Sequence, residues 1–266
     1  MSVATAQSGR SQVRRLPDLS TTGARLGVIL FALLVWEVAT ASGVVGPDLL
    51  PRPGAVLDVL VLWLRDGTLL PSLSSTATAL ALGLVVGTAA GTAAAFLLGA
   101  LPPLAVALQP FLVSINGLPR AALAPLFLLW YGVGLRTQIA LAALLIFFHA
   151  FLTVYEGLVG VEERILDNLL LLGAGRRDLM RIVYLPTAVF RILASLKASI
   201  GLGFLGVVVG EYLGSSVGLG ALLASARSVS NLDHAVAALV AIIAVALLIA
   251  SLVGTLSSRF EGRSLK

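Results

Sequence analysis

Residues 75–99 read STATALALGLVVGTAAGTAAAFLLG, without one charged side chain. At about 1.5 Å per residue this makes roughly 37 Å of helix, more than the hydrocarbon core of a bilayer, which is about 30 Å thick. Working outward, five more apolar stretches of spanning length appear, at about 25–44, 104–132, 138–157, 188–213 and 233–256. The whole chain of 266 residues is 58% hydrophobic and only 12% charged, with a mean hydropathy of +1.02. A soluble domain carries about a quarter charged residues. One core cannot absorb this much apolar sequence, so the excess faces lipid. The fold class is therefore an all-α integral membrane protein with about six transmembrane helices. Gly83, Gly87 and Gly91 recur at four-residue spacing, which offers a close-packing face; the chain holds 27 glycines, and composition alone also accounts for the pattern.

The absence of cysteine excludes disulfides, thiolate metal sites and cysteine nucleophiles. His149 and His234 stand far apart, without the ligand-spaced partners that a zinc site requires. A net charge of +5 would suggest nucleic acid only as a patch on a soluble face. Here the charge sits in tails and loops, so no nucleic-acid partner is expected. The basic tail 1–24 leads into an apolar run with no small-residue cleavage site, which reads as a retained first helix rather than a removed signal peptide.

The distribution of the 18 lysines and arginines sets the topology. The first tail and its border hold Arg10, Arg14, Arg15 and Arg25. The connection after the fourth span holds Arg164, Arg176, Arg177, Arg181 and Arg191, and the tail 257–266 holds Arg259, Arg263 and Lys266. The opposite side holds only Arg52, Arg65, Arg136 and Arg227. Positive charge marks the cytoplasmic face, so both termini and the 158–187 connection are expected there. GPDLLPRPGAVLDVLVLWLRDG (46–67) then lies outside, as a helix resting at the interface.

Within that cytoplasmic connection, two short helices are expected around Gly173, over roughly 161–172 and 176–184. Leu179, Ile182 and Val183 fall at i, i+3 and i+4 and make an apolar stripe. Arg177 and Arg181 share another face, with Asp178 beside them. Pro186 lacks an amide hydrogen, so it breaks one helix and begins the next. Two readings stay open from the residues alone. The arginines hold topology, or the charged rim and apolar stripe form a docking surface for a partner's groove.

DNLLLLGAGRRDLMRIVYLP (167–186) resembles the EAA loop of ABC-transporter permeases, with Asp167 at the acidic position, Gly173 at the glycine and Leu185-Pro186 as the closing pair. Asn168 and Leu169 stand where the family carries small residues, and Asp replaces Glu. PRAALAPLFLLWYGVG (119–134) and GLGFLGVVVGEYLGSSVGLGALL (201–223) are similar to the nitrate/sulfonate/taurine/bicarbonate branch of binding-protein-dependent importers. The resemblance covers roughly 45–260. It implies a permease domain over 25–256 and a likeness in role as well: a translocation subunit for a small anionic solute, as a homodimer in a bacterial plasma membrane. Cytoplasmic ATPase subunits carrying ATP and Mg, and an extracytoplasmic solute-binding protein, would be its partners. The coupling loop would use Asp167, Gly173, Ala174, Arg176, Arg177, Leu179, Arg181, Ile182, Leu185 and Pro186. The chain holds no GxxxxGK[ST] phosphate loop, so no ATPase site and no bound cofactor are expected in it.

For the path through the membrane, the third span is interrupted by SINGLPR (114–120). Broken helices survive in bilayers where the freed backbone lines a cavity or is buried in protein. Ser114, Asn116, Arg120 and Tyr131 are candidates there, with Glu211 in the fifth span. Arg120 attracts an anion on one reading and snorkels or pairs with a carboxylate on the other. Tyr131 and Glu211 read equally as interfacial residues. The competing class is a secondary transporter or channel not driven by ATP, which would call for more intramembrane ionisable groups or repeated halves.

Overall fold

The computed structural model describes residues 22–46, 49–101, 103–108 and 119–264. Every regular element among them is helical, so the fold is all-α. The chain divides into two units, residues 1–53 and 54–266. In the first, helix α1 (Thr22–Ala41) is followed by a turn. The Trp36 indole N–H donates to the Pro51 carbonyl at 3.0 Å and holds that turn back against the helix.

The second unit opens with α2 (Pro53–Arg65), an amphipathic helix. Val56, Val59 and Trp63 are buried at helical spacing, while Leu57, Val61 and Leu64 are exposed. Long helices follow: α3 (Leu69–Gly99), α5 (Leu135–Val159), α8 (Leu185–Gly214) and α10 (Leu232–Ser264). Short ones lie between them: α4 (Ala124–Tyr131), α6 (Glu163–Leu171), α7 (Arg176–Leu179) and α9 (Leu219–Ser228). α3 starts before the stretch that opened the sequence reading. Pro71 sits in its first turn, where an amide hydrogen has no intrahelical partner in any case.

Five helical stretches are long and apolar enough to cross a membrane: Leu69–Gly99, Leu135–Val159, Arg176–Leu196, Ala198–Ser228 and Leu232–Leu252. The third and fourth share the single helix α8, whose 30 residues suit one crossing. The middle of the expected span at 104–132, residues 109–118, lies outside the described ones. On its far side a 3₁₀ turn, Arg120–Leu123, leads into α4.

α5 lies between two rows of glycine, and this arrangement builds the bundle. In lipid the hydrophobic effect does not drive helices together, so close backbone approach and dispersion must do so. On α3, a Cβ added at Gly83 would meet Ala142 Cβ at 2.6 Å. One at Gly87 would meet the Ala143 carbonyl at 2.6 Å, and one at Gly91 the Phe147 carbonyl at 2.6 Å. On α8, Gly203 faces Ile146, Gly206 faces the Ala142 backbone at 2.8 Å and Gly210 faces Gln138 Cα at 3.0 Å. At Gly87, Gly91 and Gly206 the obstacle is α5 backbone, so nothing larger than hydrogen fits there. Ala79, Leu80, Ala142, Ile146, Phe204 and Val207 fill one half of the bundle; Ala95, Leu98, Phe151, Val154 and Leu158 fill the half nearer α6.

Candidate functional site

α6 ends in a left-handed turn that only its glycine makes easy. Gly173 has φ +85°, its N–H donates to the Leu170 carbonyl and the Ala174 N–H to the Leu169 carbonyl, both at 3.0 Å. This pair of bonds is the Schellman arrangement, in which a glycine just past the helix end satisfies the last carbonyls. A Cβ at Gly173 would meet nothing within 4 Å, so the requirement is conformational and not one of space. α7 then begins at once. The Asp178 carboxylate accepts from the Gly175 N–H at 2.9 Å and fixes its first turn.

From α7 the chain does not stop at Pro186, as the sequence reading had it. Met180–Tyr184 form a π-helical turn, with the Leu185 N–H donating to the Met180 carbonyl five residues back. Pro186 lies in the first turn of α8. Its ring would crowd the Ile182 carbonyl in a regular helix and its nitrogen has no hydrogen to offer; widening the preceding turn by one residue resolves both. The result is one continuous helical run from Arg176 to Gly214.

The side chains of this segment point largely outward. Leu170, Leu171 and Leu172 are 53%, 85% and 83% exposed, and Ile182 and Leu185 are exposed as well. Leu179 and Val183 are half-buried, as is Ala174, so Ile182 parts from the other two members of its stripe. Asp167, Arg176, Arg177, Arg181 and Pro186 are all exposed.

The residues named for the membrane path do not come together as one group. Ser114 and Asn116 lie outside the described residues. Arg120 is half-buried in the 3₁₀ turn, its guanidinium carbon 4.8 Å from the centre of the Phe148 ring. Tyr131 is half-exposed at the end of α4, its ring 6.0 Å from that of Phe127.

Glu211 has the most distinctive surroundings. It is 0% exposed. Its carboxylate accepts the Thr76 hydroxyl of α3 at 2.7 Å and the Gly220 N–H of α9 at 2.8 Å. The Thr76 oxygen in turn accepts the Leu219 N–H at 3.2 Å. An acceptor group thus sits at the N-terminus of α9, where the first amides of a helix lack intrahelical partners. Gly218 (φ +132°) and Gly220 leave the room, because a Cβ on Gly218 would collide with the carboxylate and one on Gly220 with the Val208 carbonyl. Alongside, Gln138 of α5 donates to Ser215 Oγ at 2.9 Å and the Gly134 N–H to the Gly214 carbonyl at 2.8 Å. Four helices are therefore joined by hydrogen bonds at one end of the bundle.

Sequence reasoning overlooked Thr76, Gln138, Gly218 and Gly220. The available signal was a carboxylate in an apolar run followed closely by a glycine pair, GEYLGSSVGLG (210–220). Among the described residues no group of three or more His, Cys, Asp or Glu is placed to hold a metal.

Residues 83–263 match the family model described as binding-protein-dependent transport system inner membrane component. The chain is 32% identical to the riboflavin transport system permease protein RibX of Chloroflexus aurantiacus over 217 residues, covering 81% of each. It is 27% identical to the taurine transport system permease protein TauC of Escherichia coli, over 84% of this chain and 83% of that one. The formylaminopyrimidine transport permease protein ThiX of Halalkalibacterium halodurans is 28% identical, over 72% of this chain and 76% of its own length.

Proposed function

The chain belongs to the family of binding-protein-dependent transport system inner membrane components, the permeases of ABC importers, and from that premise we propose that the α6–α7 segment receives a cytoplasmic ATPase subunit. One observation carries this reading: three consecutive leucines, Leu170 to Leu172, stand exposed in a charged loop. Apolar groups clustered on a polar surface mark an interaction site. They would enter a groove of the ATPase, with Arg176, Arg177 and Arg181 as the rim that fixes register. The Gly173 turn sets the angle between the two short helices, and Asp167 is exposed on the first of them. The continuous helix through Leu185 and Pro186 carries displacement of the loop into α8. ATP and Mg belong to the partner, and the chain itself holds no cofactor.

The same proposal places both termini and the α6–α7 loop in the cytoplasm, supported by the lysine and arginine distribution. A second copy of the chain completes the pathway, and an extracytoplasmic protein delivers the solute. The solute is a small anion of the sulfonate or carboxylate class. Arg120 supports that assignment as a cation within an apolar bundle, and so does the relative named for taurine, itself a sulfonate. Tyr131 stands beside this path, and Glu211 holds its end in shape.

Replacing Gly173 by valine tests the coupling. Insertion and yield are expected to hold, while co-purification with the ATPase, or solute-stimulated ATP hydrolysis in proteoliposomes, is lost. Full uptake by the Gly173→Val protein would refute the docking role.

A further inference from the structure

The junction of α8 and α9 carries a concave surface of about 410 Å³, lined by Tyr212, Leu213, Ala224, Arg227 and Ser228. Its two walls are fixed by the neighbouring Glu211 network. The Gly220 N–H on Glu211 ties the start of α9 to α8, and the Leu219 N–H on Thr76 ties it to α3. Arg227 reaches back from α9 across the pocket. Its Nη1 donates to the Tyr212 hydroxyl oxygen at 2.5 Å, and its guanidinium carbon lies 6.0 Å from the centre of the Tyr212 ring.

That leaves a cation held in place by a neutral partner. A guanidinium carries five N–H donors in a planar fork, and only Nη1 has a side-chain acceptor among the described residues. No ion pair involving Arg227 occurs among them either. The fork is thus oriented but not neutralised, which is the state that favours a bidentate oxyanion. Leu213 and Ala224 give the same pocket an apolar side. The depression is open, with Arg227 and Ser228 exposed on it, so a solute can reach the guanidinium directly. A charged head next to a short carbon body is the ligand shape these walls accommodate.

We propose that the Tyr212–Arg227 pocket is an anion site at the outer mouth of the permease, taking the sulfonate or carboxylate group of the solute before it enters the bundle. Arg227 receives the oxygens, Tyr212 holds the guanidinium flat, and Leu213 and Ala224 contact the carbon chain. The site lies outside the membrane only on the topology given under the proposed function, and so rests on that reading.

The full-length chain in nanodiscs, titrated with ethanesulfonate by saturation-transfer NMR, tests the site. Binding is expected to weaken about tenfold or more in Arg227→Gln, the loss of a charge-assisted contact. Arg227→Lys should recover part of it, and Tyr212→Phe should weaken it about threefold, as for one neutral hydrogen bond. The uncharged ethanesulfonamide should bind about tenfold more weakly than ethanesulfonate. Equal affinity in the wild type and Arg227→Gln overturns the proposal, and so does equal binding of the sulfonamide. Unchanged ethanesulfonate binding in an Arg227→Gln protein that no longer captures the solute-delivering protein also overturns it, by making Arg227 a docking contact. The topology is checked apart from the site. The chain has no cysteine, so Ser228→Cys in intact cells should react with an impermeant maleimide; failure to react sinks the outward reading whatever the titrations show.

Discussion

The two ends of the bundle are built on opposite principles. Around Glu211, polar groups from α3, α5, α8 and α9 bond one another, and Thr76, Gln138 and Glu211 are buried. Around Gly173, apolar side chains face outward and the internal bonds are those of two helix ends. A buried hydrogen-bonded network resists rearrangement, because every donor pulled free costs its full desolvation. An exposed helical hairpin has little to lose by moving. One end is therefore suited to hold geometry, and the other to exchange its surroundings for a partner.

The sharpest way to break this contrast is Glu211→Ala. It strands the Gly220 N–H and leaves a cavity in a buried site, while the Thr76 hydroxyl keeps the Ser72 carbonyl, so the expected loss is about 3 kcal/mol. A thermal-unfolding shift in detergent measures it. Glu211→Gln keeps one acceptor oxygen for the Gly220 N–H and turns its NH2 toward the Thr76 oxygen, whose hydroxyl has the Ser72 carbonyl as its other acceptor, at an expected cost of about 1 kcal/mol. If the two variants unfold alike, the network is not what secures this end.

Gly87→Leu asks the same question of the seam between the ends. Its Cβ would press on the Ala143 carbonyl, and overpacking of this kind costs about 1–3 kcal/mol. The yield of monodisperse protein should fall accordingly. At the other end, Gly173→Val forces a branched side chain into a left-handed turn for about 1–2 kcal/mol, with co-purification of the ATPase as the more sensitive readout. The smallest effect on folding is expected for Leu171→Asp. Its side chain is 85% exposed, so stability should stay within about 0.5 kcal/mol while ATPase association drops. A large loss of stability in Leu171→Asp would show that this leucine is covered within the chain, and the contrast would fail.

What could be read from the sequence follows the range of the interactions. Spanning helices announce themselves locally through unbroken hydropathy, as at 75–99. So does the Gly173 turn, whose partners are only a few residues away. The Gly83–Gly91 row was visible as a pattern, but its purpose depends on α5, some 60 residues on. Its counterpart on α8 lay in plain view in GLGFLGVVVG (201–210) and drew notice only for its likeness to a permease branch. Glu211 was read as a path or interfacial residue because its chief partner, Thr76, is 135 residues away, beyond any periodicity. The run through Pro186 defeated the rule that proline ends a helix. A helix can also accommodate proline by widening, and which outcome prevails depends on whether the flanking segments are held in line.

That widened turn has a consequence for length. Met180–Tyr184 hold one residue more than a regular turn needs. Deleting a single residue there would swing everything before it by about 100° around the α8 axis, carrying Arg176 and Arg177 to a different quarter of the compass. The number of residues separating Gly173 from Leu185 is thereby a setting of azimuth. A chain that changed it by one would keep every side chain of the loop and aim them all at the wrong neighbour.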